Sequence, residues 1–325
     1  MSLSTIYETI QEDLSKVEDS LAGIARIDFP WLSQVLDFSL KAGGKRMRPA
    51  LVLLSGKLCL YNLKRLLPMA IAVELMHTAT LVHDDAIDKS SVRRNRPTVN
   101  KLWGEEKAVL LGDYLFARAG EAVTETKTVR VIRLFSQTLA IISGGELNQA
   151  LNAFNLEQTY EQYLQRIRAK TASLFALSTE SGAILSHAPP KVVKAMKEYG
   201  DYLGIAFQIC DDILDYIGTE EELGKPVASD LMQGTFTLPA MLISQRYPNG
   251  NPVKALFNAN VSVEERLVLI KQAVDMVQNS DIAERCYKVA SDYCAKACDS
   301  LKPLPDDANR RYLIELSDYV IKRRK

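Results

Sequence analysis

The chain has 325 residues, and its 40 Lys+Arg cancel 40 Asp+Glu to a formal net charge of zero. That length corresponds to about two average domains or one large one, and the balanced charge lacks the basic excess of a nucleic-acid binder. Apolar residues make up 47% and charged residues 25%, a globular rather than a disordered mix, while 16 Gly and 12 Pro argue against a turn-rich all-β fold.

Apolar residues recur at helical spacing from the start. Leu3, Ile6, Ile10, Leu14, Val17 and Leu21 advance by three or four, one stripe of an amphipathic helix. The same stretch carries acids where a secretory signal needs an apolar core, so a cytoplasmic protein is expected. After a stripe at Val35–Leu40, Gly43-Gly44 opens Lys45-Arg46-Met47-Arg48-Pro49, three cations in a turn leading into a helix. The glycines there permit close backbone approach to an anion. The next stripe, Leu63–Val82, holds the most apolar run, Leu66–Met76, which Pro68 and Glu74 interrupt. It falls short of the ~18 apolar residues of a transmembrane helix, and no such segment is expected.

This stripe runs into His83-Asp84-Asp85-Ala86-Ile87-Asp88, followed closely by Arg93-Arg94-Asn95-Arg96-Pro97-Thr98. Further stripes cover Val129–Ile142 and Tyr160–Ser178, the latter containing Lys170-Thr171, with Gly144-Gly145 read as a breaker between them. The stripe Val192–Tyr216 ends in Cys210-Asp211-Asp212-Ile213-Leu214-Asp215, and Gly224-Lys225-Pro226 follows in a loop. Two more stripes, Glu264–Val277 and Ile282–Leu301, complete the pattern. Alternating strand patterns do not occur. The expectation is one all-α domain over residues 1–325 with roughly ten to thirteen helices. Five cysteines, an odd number without C-x-x-C spacing, read as reduced core thiols rather than a metal site or disulfides.

The chemistry lies in the duplicated D-D-x-x-D. Positions i and i+4 share a helix face, so Asp84 stands above Asp88 and Asp211 above Asp215. Two like charges ~4 Å apart repel by about 4 kcal/mol at an effective dielectric near 20, so a cation must offset them. Hard oxygen donors without Cys or His point to Mg2+, which keeps several waters and commonly bridges carboxylates to substrate phosphates. Two copies, each ending an apolar helix, imply facing acidic clusters around metal and a polyphosphate. The basic groups interleaved with them supply the cationic donors a diphosphate needs, arginine doing so bidentately. No P-loop and no G-x-S-x-G elbow is present, and His77, His83 and His187 are the only histidines.

Seven ordered motifs together resemble the trans-isoprenyl diphosphate synthases, or polyprenyl synthetases. They are GGKRMRP at 43–49, HTATLVHDDAID at 77–88, RRNRPT at 93–98, LLGDYLFARA at 110–119, KTASLF at 170–175, FQICDDILD at 207–215 and GKPVASDLMQGTFTLP at 224–239. The resemblance implies an all-α, isoprenoid-synthase-type helical bundle around a deep central cavity, usually as a homodimer. It implies that Asp84, Asp85, Asp88, Asp211, Asp212 and Asp215 hold about three Mg2+ on an allylic diphosphate. Lys45, Arg48, His77 and Arg94 match the isopentenyl diphosphate site. Arg93, Lys170, Thr171, Gln208 and Lys225 match contacts to the allylic diphosphate, with Lys170, Thr171 and Gln208 near the path of the cation. Thr235 departs from the pattern, standing where many members carry lysine.

The implied reaction is Mg2+-dependent, head-to-tail (1'-4) condensation of isopentenyl diphosphate with dimethylallyl, geranyl, farnesyl or geranylgeranyl diphosphate. In the resembled family, short-chain members carry aromatic residues at the fourth or fifth position before the first motif. Here these are the small Thr80 and Ala79. The expected product is therefore C20 or longer, with C30–C45 favoured, and Met76 or Phe135 is a candidate lower stop. The alternative is a partner-dependent or non-catalytic subunit of a heteromeric synthase. A terpene cyclase shares the all-α architecture but does not need the isopentenyl site.

Overall fold

The structure, a computed structural model, describes residues 3–322 except 42, 225, 259 and 260. Among the described residues thirteen helices run for eight residues or more, and the one sheet is a hairpin of two-residue strands, Val92–Arg93 and Arg96–Pro97. The turn of that hairpin, Arg94-Asn95, has both φ angles positive, 51° and 59°, the geometry that matches the twist of a tight hairpin.

Local chemistry explains where the helices begin. Asn62 accepts a hydrogen bond from the Lys64 amide at the start of Leu63–Ile87. Thr159 with Gln162, and Ser262 with Glu265, form reciprocal capping boxes ahead of Tyr160–Ile167 and Val263–Gln278. Pro30 and Pro190 open Pro30–Leu40 and Pro190–Ile217 at the first turn, where no amide hydrogen is needed.

The two longest helices, Leu63–Ile87 and Pro190–Ile217, each end in an acidic motif. Leu63–Ile87 packs along Glu105–Thr124, and Pro190–Ile217 is flanked by Ser173–Leu185 and Ile282–Ser300. The N-terminal stripe seals the core beside them. Ile6, Ile10, Val17 and Leu21 are at most 1% exposed, although the stripe divides into Leu3–Tyr7, a 3-10 turn and Gln11–Ile24.

Several expectations change here. The stripe read at Leu63–Val82 forms one helix, Leu63–Ile87, with Pro68 inside it, and Glu74 is buried but paired with Arg46 at 2.6 Å. This helix is long and apolar enough to cross a membrane by length and composition, yet 61% of its apolar window is buried inside the protein, as in a core helix. Gly144-Gly145 does not break anything: both lie within Val129–Leu151. A Cβ at Gly145 would come within 2.7 Å of the Ala169 Cβ, so glycine is needed for close approach. The Tyr160–Ser178 stripe is interrupted instead by a π-helical turn, Arg168–Ala172. None of the five cysteines forms a disulfide; Cys210, Cys286 and Cys294 are buried, Cys59 and Cys298 partly so.

Candidate active site

The C-terminal ends of the two long helices converge on a cavity of about 990 Å³. Its walls also include the Gly44–Arg48 turn, the hairpin after the first motif, the second half of Val129–Leu151, the π turn and the segment 226–237. Of the residues singled out from the sequence, Lys45, Arg48, His77, Asp84, Asp88, Arg93, Arg94, Lys170, Thr171, Gln208, Asp211, Asp212 and Asp215 line it. Asp85 is 6% exposed and does not line it; its carboxylate accepts from Arg93 Nε at 2.7 Å. Lys225 lies outside the described residues.

The π turn fixes Lys170 and Thr171. π turns widen a helix by one residue and often occur at functional sites; this one turns both side chains to the cavity. Lys170 Nζ is 2.8 Å from Glu146 Oε1 and 3.5 Å from Asp84 Oδ2. Burial works to lower its pKa, but Asp84 and Glu146 outweigh this and raise it, keeping the ammonium charged. Thr171 Oγ1 donates to Gln208 Oε1 (2.5 Å), and Gln208 Nε2 donates to Asp212 Oδ1 (2.9 Å). Tyr163 OH donates to Asp212 Oδ2 (2.8 Å). The second aspartate of this motif thus orients Gln208, and through it Thr171, with one oxygen, while Tyr163 holds the other.

Asp215, 1% exposed, accepts from Ser229 Oγ and the Asp230 amide at 3.0 and 3.2 Å, tying the 226–237 segment to the motif. Burial raises Asp88 to about 6, with Lys170 opposing and Asp84 and Glu146 adding to the rise. Burial and then Asp230 raise Asp212 to about 7. These shifts report carboxylates crowded in a partly dry cleft, where an added cation is favoured.

Among the described residues no three His, Cys, Asp or Glu side chains close around a metal. The donors are carboxylate pairs one helical turn apart, a set suited to a hard cation that completes its shell with water and phosphate oxygens. The residues therefore fit Mg2+ held jointly with a diphosphate rather than a closed metal cage.

Across the cavity the cations of the Gly43–Arg48 turn separate by role. Arg46, with φ 45°, bonds Glu18 Oε1 at 2.5 Å, Glu74 Oε1 at 2.6 Å and the Leu40 carbonyl at 2.9 Å; it braces the turn. Lys45 is exposed, 5.4 Å from the Tyr319 ring centroid, and Arg48 lies 5.1 Å from that of Phe175. Arg94 donates to the Gly43 carbonyl. His77 lines the same end, where burial and the charges of Arg48 and Arg94 hold its imidazole well below the usual range, hence neutral at pH 7. Gly224 packs against the hairpin turn. A Cβ there would lie 2.6 Å from the Asn95 amide nitrogen, and Asn95 Nδ2 donates to the Glu221 carbonyl at 3.0 Å. The loops following the two acidic motifs are therefore in contact.

Residues that carried no role in the sequence reading also belong to the site: Glu146, Tyr163, Arg166 and Asp230. Glu146 follows the glycine pair, and that position was its only signal. The apolar end is lined by Thr80, Leu81, Ile142, Ile167 and Phe207. Met76 and Phe135, 0% and 3% exposed, are core residues and are not among the lining side chains.

This arrangement has close counterparts among known proteins. The Polyprenyl synthetase family pattern matches residues 29–277. Heptaprenyl diphosphate synthase component 2 of Geobacillus stearothermophilus is 39% identical over 325 residues, covering 99% of each chain. A polyprenyl synthase from Caulobacter crescentus CB15, solved with calcium and isoprenyl diphosphate, is 32% identical with a TM-score of 0.93, covering 100% of this chain and 98% of its own. Heptaprenyl diphosphate synthase from Staphylococcus aureus is 36% identical with a TM-score of 0.91, covering 97% and 99%. By sequence along nearly its whole length and by fold, the chain belongs to the polyprenyl synthetase family and is a trans-prenyltransferase.

Proposed function

We propose that the protein condenses isopentenyl diphosphate head-to-tail with an allylic diphosphate in a Mg2+-dependent reaction, releasing an all-trans polyprenyl diphosphate of C20 or longer, with C30–C45 favoured. The observation that carries this is one cavity with acidic motifs from two helices, Lys170 and Thr171 between them, and separate cations at the Gly44–Arg48 end. Bound Mg2+ would neutralise charge on the allylic diphosphate as it departs. Lys170 adds a fixed positive charge beside Asp84. The Thr171 and Gln208 oxygens, held in one hydrogen-bonded chain, offer oriented dipoles to the allylic cation. Lys45, Arg48, neutral His77 and Arg94 hold isopentenyl diphosphate, whose double bond attacks the cation. Released diphosphate takes the proton.

Product length is read from the wall below the first motif. Thr80 lies about 6 Å below Asp84 along the helix and lines the cavity, so a small side chain leaves the tail path open there. The test is Thr80→Phe with product analysis: shorter products are expected, and an unchanged length distribution would refute this reading.

The protein is further proposed to act as a homodimer. Exposed Val109, Leu110, Ile141, Leu147 and Leu151, 43–85% accessible on Glu105–Thr124 and Val129–Leu151, offer an apolar surface for a second copy. A second reading, a subunit that needs a different partner, draws on the name "component 2" carried by the Geobacillus and Bacillus subtilis relatives. Both acidic motifs are intact, which favours activity of the chain alone. Turnover by the purified chain decides between them.

A further inference from the structure

Several cations in the cavity differ in what holds them. Arg46, Arg93 and Lys170 are bonded to carboxylates. Arg166, on Tyr160–Ile167 and four residues before Lys170, is held differently. Its Nη1 donates to Gln158 Oε1 (2.8 Å), its Nη2 donates to the Phe236 carbonyl (2.9 Å), and its guanidinium lies 5.4 Å from the Tyr163 ring centroid. Among the described residues it has no ion-pair partner. Arg94 is set in the same way, donating to the Gly43 carbonyl.

An arginine oriented by neutral acceptors keeps its charge for an incoming anion, and its planar fork retains donors beyond the two in use. The nearby carboxylates Glu146 and Asp212 feel this charge but do not bond it, so the fork stays open to an anion entering the cavity. The location narrows which anion. Arg166 is anchored to the segment 226–237, whose sequence contains no Lys or Arg, and it stacks on the tyrosine that bonds Asp212. Arg94 is tied instead to the Gly43–Arg48 side.

We propose that Arg166 binds the allylic diphosphate, the group that departs, as the cation of the 226–237 wall. This rests on the functional reading above. As the allylic C–O bond breaks, its electron pair leaves on the diphosphate oxygen, and the guanidinium stabilises that growing charge.

The test uses Arg166→Gln, Arg166→Lys, and Arg166→Gln combined with Thr235→Lys, which returns a positive charge beside Phe236. Binding of inorganic pyrophosphate with Mg2+ is measured by calorimetry, and KM is measured for farnesyl and isopentenyl diphosphates. Arg166→Gln is expected to weaken pyrophosphate about 10- to 100-fold and to raise KM for the farnesyl substrate far more than for the isopentenyl one. Arg166→Lys should retain part of the affinity, and Thr235→Lys should recover much of the loss without restoring the bond to Phe236. Pyrophosphate affinity unchanged in Arg166→Gln would overturn the proposal. A loss that neither lysine relieves would also overturn it, assigning Arg166 to bracing the wall. Wild-type protein that binds pyrophosphate in an Arg166-dependent way yet condenses nothing would refute the functional reading while supporting this assignment.

Discussion

Asp84 and Asp88 show how a catalytic requirement is built at the cost of stability. Asp88, raised to about 6, binds its proton more tightly folded than unfolded, so metal-free protein loses stability as pH rises from the unfolded value near 3.9 through about 6. Asp88→Asn should therefore raise the metal-free melting temperature at pH 7 by roughly 2–4 °C, while cutting condensation at least 100-fold; calorimetry and turnover check the two effects. At the opposite end, Lys45→Ala should raise KM for isopentenyl diphosphate about tenfold or more and leave the allylic KM nearly unchanged. If neither KM moved, the assignment of that end would be wrong. The acidic positions were legible because i, i+4 spacing alone puts them on one face. The role of Arg46 was not: it reads as one of three neighbouring cations, and its partners Glu18 and Glu74 each lie 28 residues away. Tyr163 was hidden for the same reason, since Asp212 is 49 residues distant.

Elements were legible where one face is polar. Gln11–Ile24 and Pro190–Ile217 announce themselves by periodicity, but Met47–Gly56 is buried on nearly every side and has no polar face to set a period. Glu105–Thr124 hides its period for the opposite reason, carrying exposed Val109 and Leu110 on its outer face. Close packing was invisible as well, which is why Gly144-Gly145 read as a breaker. Gly145→Ala should push against Ala169, destabilise the fold by about 1–3 kcal/mol, and lower kcat more than it changes KM for isopentenyl diphosphate, because Ala169 precedes Lys170. Unaltered kcat at full folding would show that the π turn does not depend on this contact. The same reasoning moves the length test. Ala79 is 0% exposed and belongs to the core, whereas Thr80 faces the cavity. Bulk at 80 is expected to shorten products, and bulk at 79 to overpack the core.

For the whole molecule, the formal charge of zero conceals a sorted site, with acids on the two long helices and cations on the turns and walls around them. That sorting explains why neither length nor composition hinted at a diphosphate chemistry while the ordered motifs did. The apolar row on Glu105–Thr124 and Val129–Leu151 belongs to this scale too. Light scattering is expected to give twice the 36.2 kDa chain mass, and Leu110→Glu with Leu147→Glu should shift it toward the single chain. The central claim, that this chain alone extends an allylic diphosphate with isopentenyl units, is tested by one incubation. Purified protein, Mg2+, labelled isopentenyl diphosphate and farnesyl diphosphate are combined and the products resolved by chromatography. Labelled all-trans products beyond C15, concentrated between C30 and C45, are expected. Label remaining entirely in isopentenyl diphosphate would contradict the claim.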